Sequence, residues 1–147
     1  MRRALIATAV VGTALAAALA AGAATTASQA TKLEANLRGA KERPAAPRTN
    51  RGTVELRITQ KTRKVCWEFS IGKIDGKPMQ AHIHIGGAGV AGNVVVPLGA
   101  NYSRQGCTTA SKTIVNAILK KPGGYYVNVH NAKHPLGAMR GQLVRGA

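Results

Sequence analysis

An all-β fold, a sandwich or barrel of short strands carrying one short helix, is what this 147-residue sequence predicts. Three observations point there. Apolar and polar residues alternate in short runs, the two-residue period of a strand with one buried face. Glycine, proline, asparagine and aspartate gather between those runs, where tight turns need them. A single segment switches to the helical period.

The first thirty residues stand apart. Arg2 and Arg3 make a positive start, Ala4 to Ala20 is an alanine-rich apolar run, and small residues follow. This pattern predicts a secretory signal peptide over residues 1–30, cleaved after Ser28-Gln29-Ala30, with Ala21-Gly22-Ala23 as an earlier alternative. A retained anchor competes with it, since the run is nearly long enough to span a bilayer. Residues 31–147 then form one domain with a modest core, with no transmembrane segment after cleavage.

The strands follow in order. "KLEANLRGA" (32–40) opens the series, and "KERPAAPRTNRG" (41–52) reads as a loop. "TVELRIT" (53–59) sets Val54, Leu56 and Ile58 against Glu55 and Arg57; "VCWEFSI" (65–71) aligns Val65, Trp67, Phe69 and Ile71. "QAHIHI" (80–85) places Ala81, Ile83 and Ile85 opposite Gln80, His82 and His84. "NVVVPL" (93–98), "YYVNVH" (125–130) and "MRGQLV" (139–144) complete the set. Turns are marked by Arg51-Gly52, Asp75-Gly76-Lys77-Pro78, the glycines between 86 and 92, Pro122-Gly123-Gly124 and Pro135-Leu136-Gly137. From Ser111 to Lys120, Ile114, Val115, Ile118 and Leu119 recur at helical spacing, with Thr109 as the expected cap and Lys120 and Lys121 suiting the end.

Two cysteines, Cys66 and Cys107, lie in the exported part, where a pair forms a disulfide. A zinc finger is excluded by their spacing. Export of Arg2 and Arg3 with the leader lowers the net charge from +16 to +14. Such a surface attracts polyanions, including wall polymers and acidic lipids. The basic residues are spread from Lys32 to Arg145, and aromatic residues for base stacking are few, which argues against specific nucleic-acid binding.

Ordinary catalytic apparatus is poorly supplied. Gly87-Ala88-Gly89-Val90-Ala91-Gly92 matches G-x-G-x-x-G in letters only, because a strand follows it and no acid occurs after Asp75. The acids are Glu34, Glu42, Glu55, Glu68 and Asp75 alone. Ser70, Ser103 and Ser111 lack a nucleophile-elbow context. The histidines remain: His82, His84, His130 and His134. His82 and His84 share one strand face, with Cα atoms roughly 6.5–7 Å apart, and His130 ends another strand. Imidazole ligands suit copper, zinc or nickel. The competing reading is a solvent-facing pair opposite Ile83 and Ile85. A free imidazole pKa of about 6.5 sets the pH below which protons would displace a metal.

"AHIHIGGAGVAGNVVVPL", "YYVNVHNAKHPLGAMRGQL" and the cysteine pair together resemble the CHRD (chordin-type) domain family from about Leu33 to Val144. The resemblance implies an extracellular, immunoglobulin-like β-barrel, with Gly86, Gly89, Gly92, Asn128 and Gly141 as structural residues of the two motifs. The family is in turn similar to copper–zinc superoxide dismutase, a Greek-key β-sandwich or barrel. That likeness implies copper ligands at His82, His84 and His130 and an anion-guiding arginine at Arg140. Zinc has no visible home, since no histidine lies between 84 and 130 and no aspartate follows Asp75.

The leading expectation is a secreted or cell-wall-associated binding module without enzymatic activity, whose partner is an extracellular or cell-surface protein or polyanion. A copper-binding or dismutase-like protein and a purely cationic polyanion binder are the alternatives. Charge alone makes a prediction. Binding to heparin should be strong at low salt and collapse as added salt shortens the screening length to about 3 Å at 1 M; retention that survives near-molar salt would refute a purely electrostatic interaction.

Overall fold

A computed structural model describes residues 29–147. Nearly all of the expected leader, residues 1–30, therefore lies outside the described residues. Among the described residues no helix is long and apolar enough to cross a membrane.

Nine strands form one antiparallel sheet: β1 (Thr31–Arg38), β2 (Arg51–Thr59), β3 (Lys64–Lys73), β4 (Gln80–Ile85), β5 (Val94–Pro97), β6 (Gln105–Thr109), β7 (Tyr125–His130), β8 (Met139–Gln142) and β9 (Val144–Arg145). Their order is β5-β4-β7-β8-β1-β2-β3-β6, with β9 added beside β1. Connections from β3 to β4, from β5 to β6 and, through the helix, from β6 to β7 carry the chain between the two halves, giving the interleaved order of a Greek key. The outer strands β5 and β6 do not pair. Residues 98–104 bridge them instead: Leu98 N–H donates to the Ala81 carbonyl at 3.0 Å, Tyr102 N–H to the Met79 carbonyl at 2.7 Å, and the Arg104 carbonyl accepts from Phe69 N–H at 2.7 Å. The strap leaves a nearly closed barrel and satisfies edge groups that would otherwise invite pairing.

The alternation predicted for each strand fills the interior. Leu33, Leu37, Val54, Leu56, Ile58, Val65, Phe69, Ile83, Val127, Val129 and Met139 are fully or almost fully buried. Helix α1 (Lys112–Lys120) adds Val115 and Ile118 to the same core. It sits over the β2–β3 turn, where Gln60 Nε2 donates to Asn116 Oδ1 at 2.9 Å.

Several expectations need correction. Strand β6 was hidden in the sequence because Gln105-Gly106-Cys107-Thr108-Thr109 has no apolar alternation. Its pairing is driven from outside, by the Cys66–Cys107 disulfide and by Gly106, whose missing side chain makes room for the Trp67 indole; a Cβ there would lie 2.5 Å from Trp67 Cζ2. The helix cap is Ser111, whose side-chain oxygen accepts from Ile114 N–H at 3.2 Å; Thr109 ends β6 instead. Residues 39 and 40 turn in a short 3-10 segment rather than extending β1. Ile85, expected to face inward, is 46% exposed, at the last position of β4.

Cys66 and Cys107 are direct cross-strand partners, 41 residues apart in sequence. A closed loop of that size stabilises by roughly 3–4 kcal/mol on the chain-entropy account. Replacing both cysteines by alanine should therefore lower the melting temperature by more than about 10 °C. Calorimetry showing no difference between wild type and the double variant would remove the disulfide from the stability of the barrel.

Candidate metal centre

Strands β4, β7 and β8 lie side by side, and their register builds two rows across the outer face. His82 is opposite Asn128, which is opposite Arg140; His84 is opposite Tyr126, which is opposite Gln142. His130 faces Gln80 at the end of the same tile. On an open barrel this face would be wet. Here two loops cover it, residues 42–50 and residues 86–93, so that His84 is only 8% exposed, Asn128 2% and Arg140 2%.

The covering loops are held by specific bonds. Asn50 Nδ2 donates to the Ala138 carbonyl at 2.9 Å while its Oδ1 accepts from Asp75 N–H at 2.8 Å. Arg140 reaches under the glycine loop and donates to the Val90 carbonyl at 2.8 Å and the Gly87 carbonyl at 3.4 Å, with its guanidinium carbon 3.4 Å from the centre of the Tyr126 ring. The arginine expected to guide anions is thus placed beneath a loop. Gly89 turns with φ +78, a conformation that favours glycine. At Gly92 a side chain would collide with the Ile85 carbonyl, and at Gly141 with that of Asn36. Gly86 and Gly89 both take positive φ just after β4 ends.

Three imidazoles converge at this cover, His84 buried beneath it and His82 and His130 half-buried beside it. His82, His84 and His130 each offer a ring nitrogen within 4.8 Å of the others'. Ring centres are 5.7 Å apart for His82 and His84, 5.1 Å for His82 and His130, and 5.9 Å for His84 and His130. His84 Nδ1 lies 2.9 Å from the Gly92 carbonyl oxygen, and His130 Nδ1 lies 2.9 Å from that of Pro135. A carbonyl can only accept, so both Nδ1 atoms carry the proton and both Nε2 atoms present a lone pair. Those two Nε2 atoms and His82 Nδ1 are buried without any hydrogen-bond partner. Tyr126 stacks on His84 with ring centres 4.9 Å apart and planes 11° from parallel, which fixes that ring further.

Burial keeps the trio uncharged. Desolvation pushes the His82 pKa down to about 4, helped by the neighbouring His130 and His84. His84 and His130 are lowered for the same first reason, against the opposing effect of their carbonyl bonds. Proton competition therefore begins below the free imidazole value expected from sequence. His134 stands outside, its Nε2 3.3 Å from Asp75 Oδ2. The trio is the one group of three or more potential metal ligands found among the described residues.

Sequence reasoning overlooked Glu42 and Tyr126. Tyr126 was recoverable, since alternation in "YYVNVH" puts it on the face of Asn128 and His130. Glu42 was not: it sits in an irregular loop with no period, yet its side chain is buried beside Asn128, whose Nδ2 donates to Glu42 Oε2 at 3.2 Å.

The family model for the CHRD domain matches residues 33–143. The chain belongs to the CHRD domain family. Searches of curated proteins and of solved structures found no match for it. The matched span runs from β1 through the residue after β8, so all three histidines lie inside this CHRD domain.

The protonation states of the three rings are directly measurable. In the metal-free CHRD domain, nitrogen-detected NMR titration should show His82 changing charge near pH 4 and His84 and His130 below 6.5. Midpoints at or above the free value would mean that water reaches the rings and that the cover is not closed.

Proposed function

We propose that this CHRD domain is an extracellular copper-binding protein that holds one ion through His82, His84 and His130. One observation carries the reading: the three rings each offer a nitrogen within 4.8 Å of the others', and each ring has one nitrogen buried without a partner. Leaving polar atoms buried and unpaired costs about 1–3 kcal/mol each, a cost that a coordinated ion offsets. An all-imidazole set with no carboxylate or thiolate favours copper(II) over the other divalent first-row ions by the Irving–Williams order. The carbonyl bonds behind His84 and His130 supply the outer support that such ligands use to hold their tautomer. The likeness of the H-x-H strand to copper–zinc superoxide dismutase points the same way.

The expected binding module and the expected copper protein thereby merge: the ligand is a metal ion, and the barrel is its holder. The disulfide and the CHRD family fit an extracellular setting. No group in the cover is supplied for hydrolysis, and the proposal stops at binding.

Tag-free protein collected outside the cell should bind one Cu(II) per chain at pH 7. Changing His84 or His130 to alanine should weaken binding by roughly 100-fold or more, whereas His134→Ala should change it by less than about threefold, in line with loss of a ligand against loss of a surface group. The sign of the pH effect follows from the lowered imidazole values. Neutral rings bind, so copper should be released at a lower pH than free imidazoles would release it, with His82 protonated last, near pH 4. Equal, weak titration curves for wild type and all variants would return the trio to a hydrogen-bonded polar cluster.

A further inference from the structure

Among the described residues, five buried side-chain atoms lack hydrogen-bond partners, and all five lie in the covered layer: His82 Nδ1, His84 Nε2, His130 Nε2, Asn128 Oδ1 and Glu42 Oε1. Copper at the histidines accounts for three. The other two belong to a joined pair, because Asn128 Nδ2 donates to Glu42 Oε2. Asn128 is also the strand partner of His82 and lies two residues before His130. The pair is therefore built directly beside the metal ligands while contributing no ligand of its own.

Glu42 is 1% exposed, and its carboxyl packs against Gly137, where a side chain would occupy the same space. No ion pair reaches it: Arg43 donates to the Glu42 backbone carbonyl rather than to the carboxyl, and Arg140 spends its contacts on Val90, Gly87 and Tyr126. The Asn128 amide donor at 3.2 Å, with the Arg43 backbone N–H beside it, is thin solvation for a buried anion. The neutral acid is favoured instead, since protonation removes the charge that burial penalises.

We infer that Glu42 is the internal counter-charge of the histidine site, a buried carboxylic acid that gives up its proton to solvent when Cu(II) binds the three imidazoles. The inference rests on the copper reading above. The step balances simply: the Glu42 O–H bond breaks, the proton leaves to the buffer, two positive charges enter, and copper keeps its oxidation state. The groups facing the carboxyl are Arg140 from β8, Asn128 from β7 with His82 beyond it on β4, Gly137 from the β7–β8 loop and Arg43 on its own loop. Arg140 favours the ionised form, but burial outweighs it and raises the pKa from 4.5 to about 8. A raised value means that the acid is protonated at neutral pH and that ionising it becomes easier as pH rises. Copper affinity should therefore increase with pH in a window where the imidazoles are already neutral.

The test is Cu(II) affinity by chelator competition from pH 6 to 8, on full-length tag-free protein and on Glu42→Gln, which keeps shape and removes the proton. In the wild type, log affinity should rise with a slope near one proton per copper. In Glu42→Gln the slope should fall towards zero, leaving affinities similar at pH 6 and roughly ten- to fifty-fold weaker than wild type at pH 8. Infrared spectra of the wild type alone should show a buried carboxylic-acid C=O band at pH 7 that vanishes when Cu(II) is added. Parallel affinity curves for the two proteins, or a band indifferent to copper, would overturn the counter-charge role while leaving the metal site standing. Absence of copper binding in the wild type would instead overturn the copper reading and this role with it.

Discussion

Everything distinctive about this barrel depends on the contact of Arg140 with the 86–92 loop. A guanidinium taken out of water is expensive unless its donors and its charge are met. Here two loop carbonyls take its hydrogen bonds and the Tyr126 ring takes part of the charge from 3.4 Å. The loop, held down, lends the Gly92 carbonyl to His84 and covers the row from His82 to Arg140. Without that contact the face reverts to what its strand position implies, an ordinary wet surface with two histidines on it. Burial, the lowered imidazole pKa values and the unpaired nitrogens all follow from the cover.

The same cover makes charge the governing problem. A chain with a formal net charge of +16 and with Arg140 beneath its loop is a hostile place for a further cation. Neutral histidines remove part of the difficulty by adding no positive charge at neutral pH. The remaining part is met by the one carboxyl buried nearby. Glu34, Glu55 and Glu68 cannot serve, because they lie side by side on the outer face of β1, β2 and β3, where Lys32, Arg57 and Arg104 pair with them.

The sequence carried the inner face of the barrel well and its outer face poorly, for a physical reason. Alternation reports which residues avoid water, so Val54, Leu56, Ile58, Val65, Trp67 and Phe69 were legible at once. It says nothing of what a loop later lays over the polar side. His84 and Arg140 therefore read as exposed from their strand positions and are buried in the structure. Strand β6 failed for a related reason: its place is decided by a covalent bond and by the shape of Trp67, neither of which has a period. The three histidines were assembled from motif resemblance, since spacing alone joins His82 to His84 but never to His130, 46 positions beyond His84 in the chain. Glu42 had no local signal of any kind.

The distribution of devices along the sheet explains how a small domain sustains such a layer. Strands β1, β2, β3 and β6 carry the disulfide, Trp67 and Phe69, while β4, β7 and β8 carry the histidines and the buried arginine, with Glu42 reaching that layer from the β1–β2 loop. Polar burial weakens one half; the cross-link strengthens the other. The 98–104 strap hydrogen-bonds to both halves. Stability generated on the disulfide side is thereby transmitted to the strands that hold the site, which is why three unpaired imidazoles and an uncompensated acid can persist on a barrel of nine short strands.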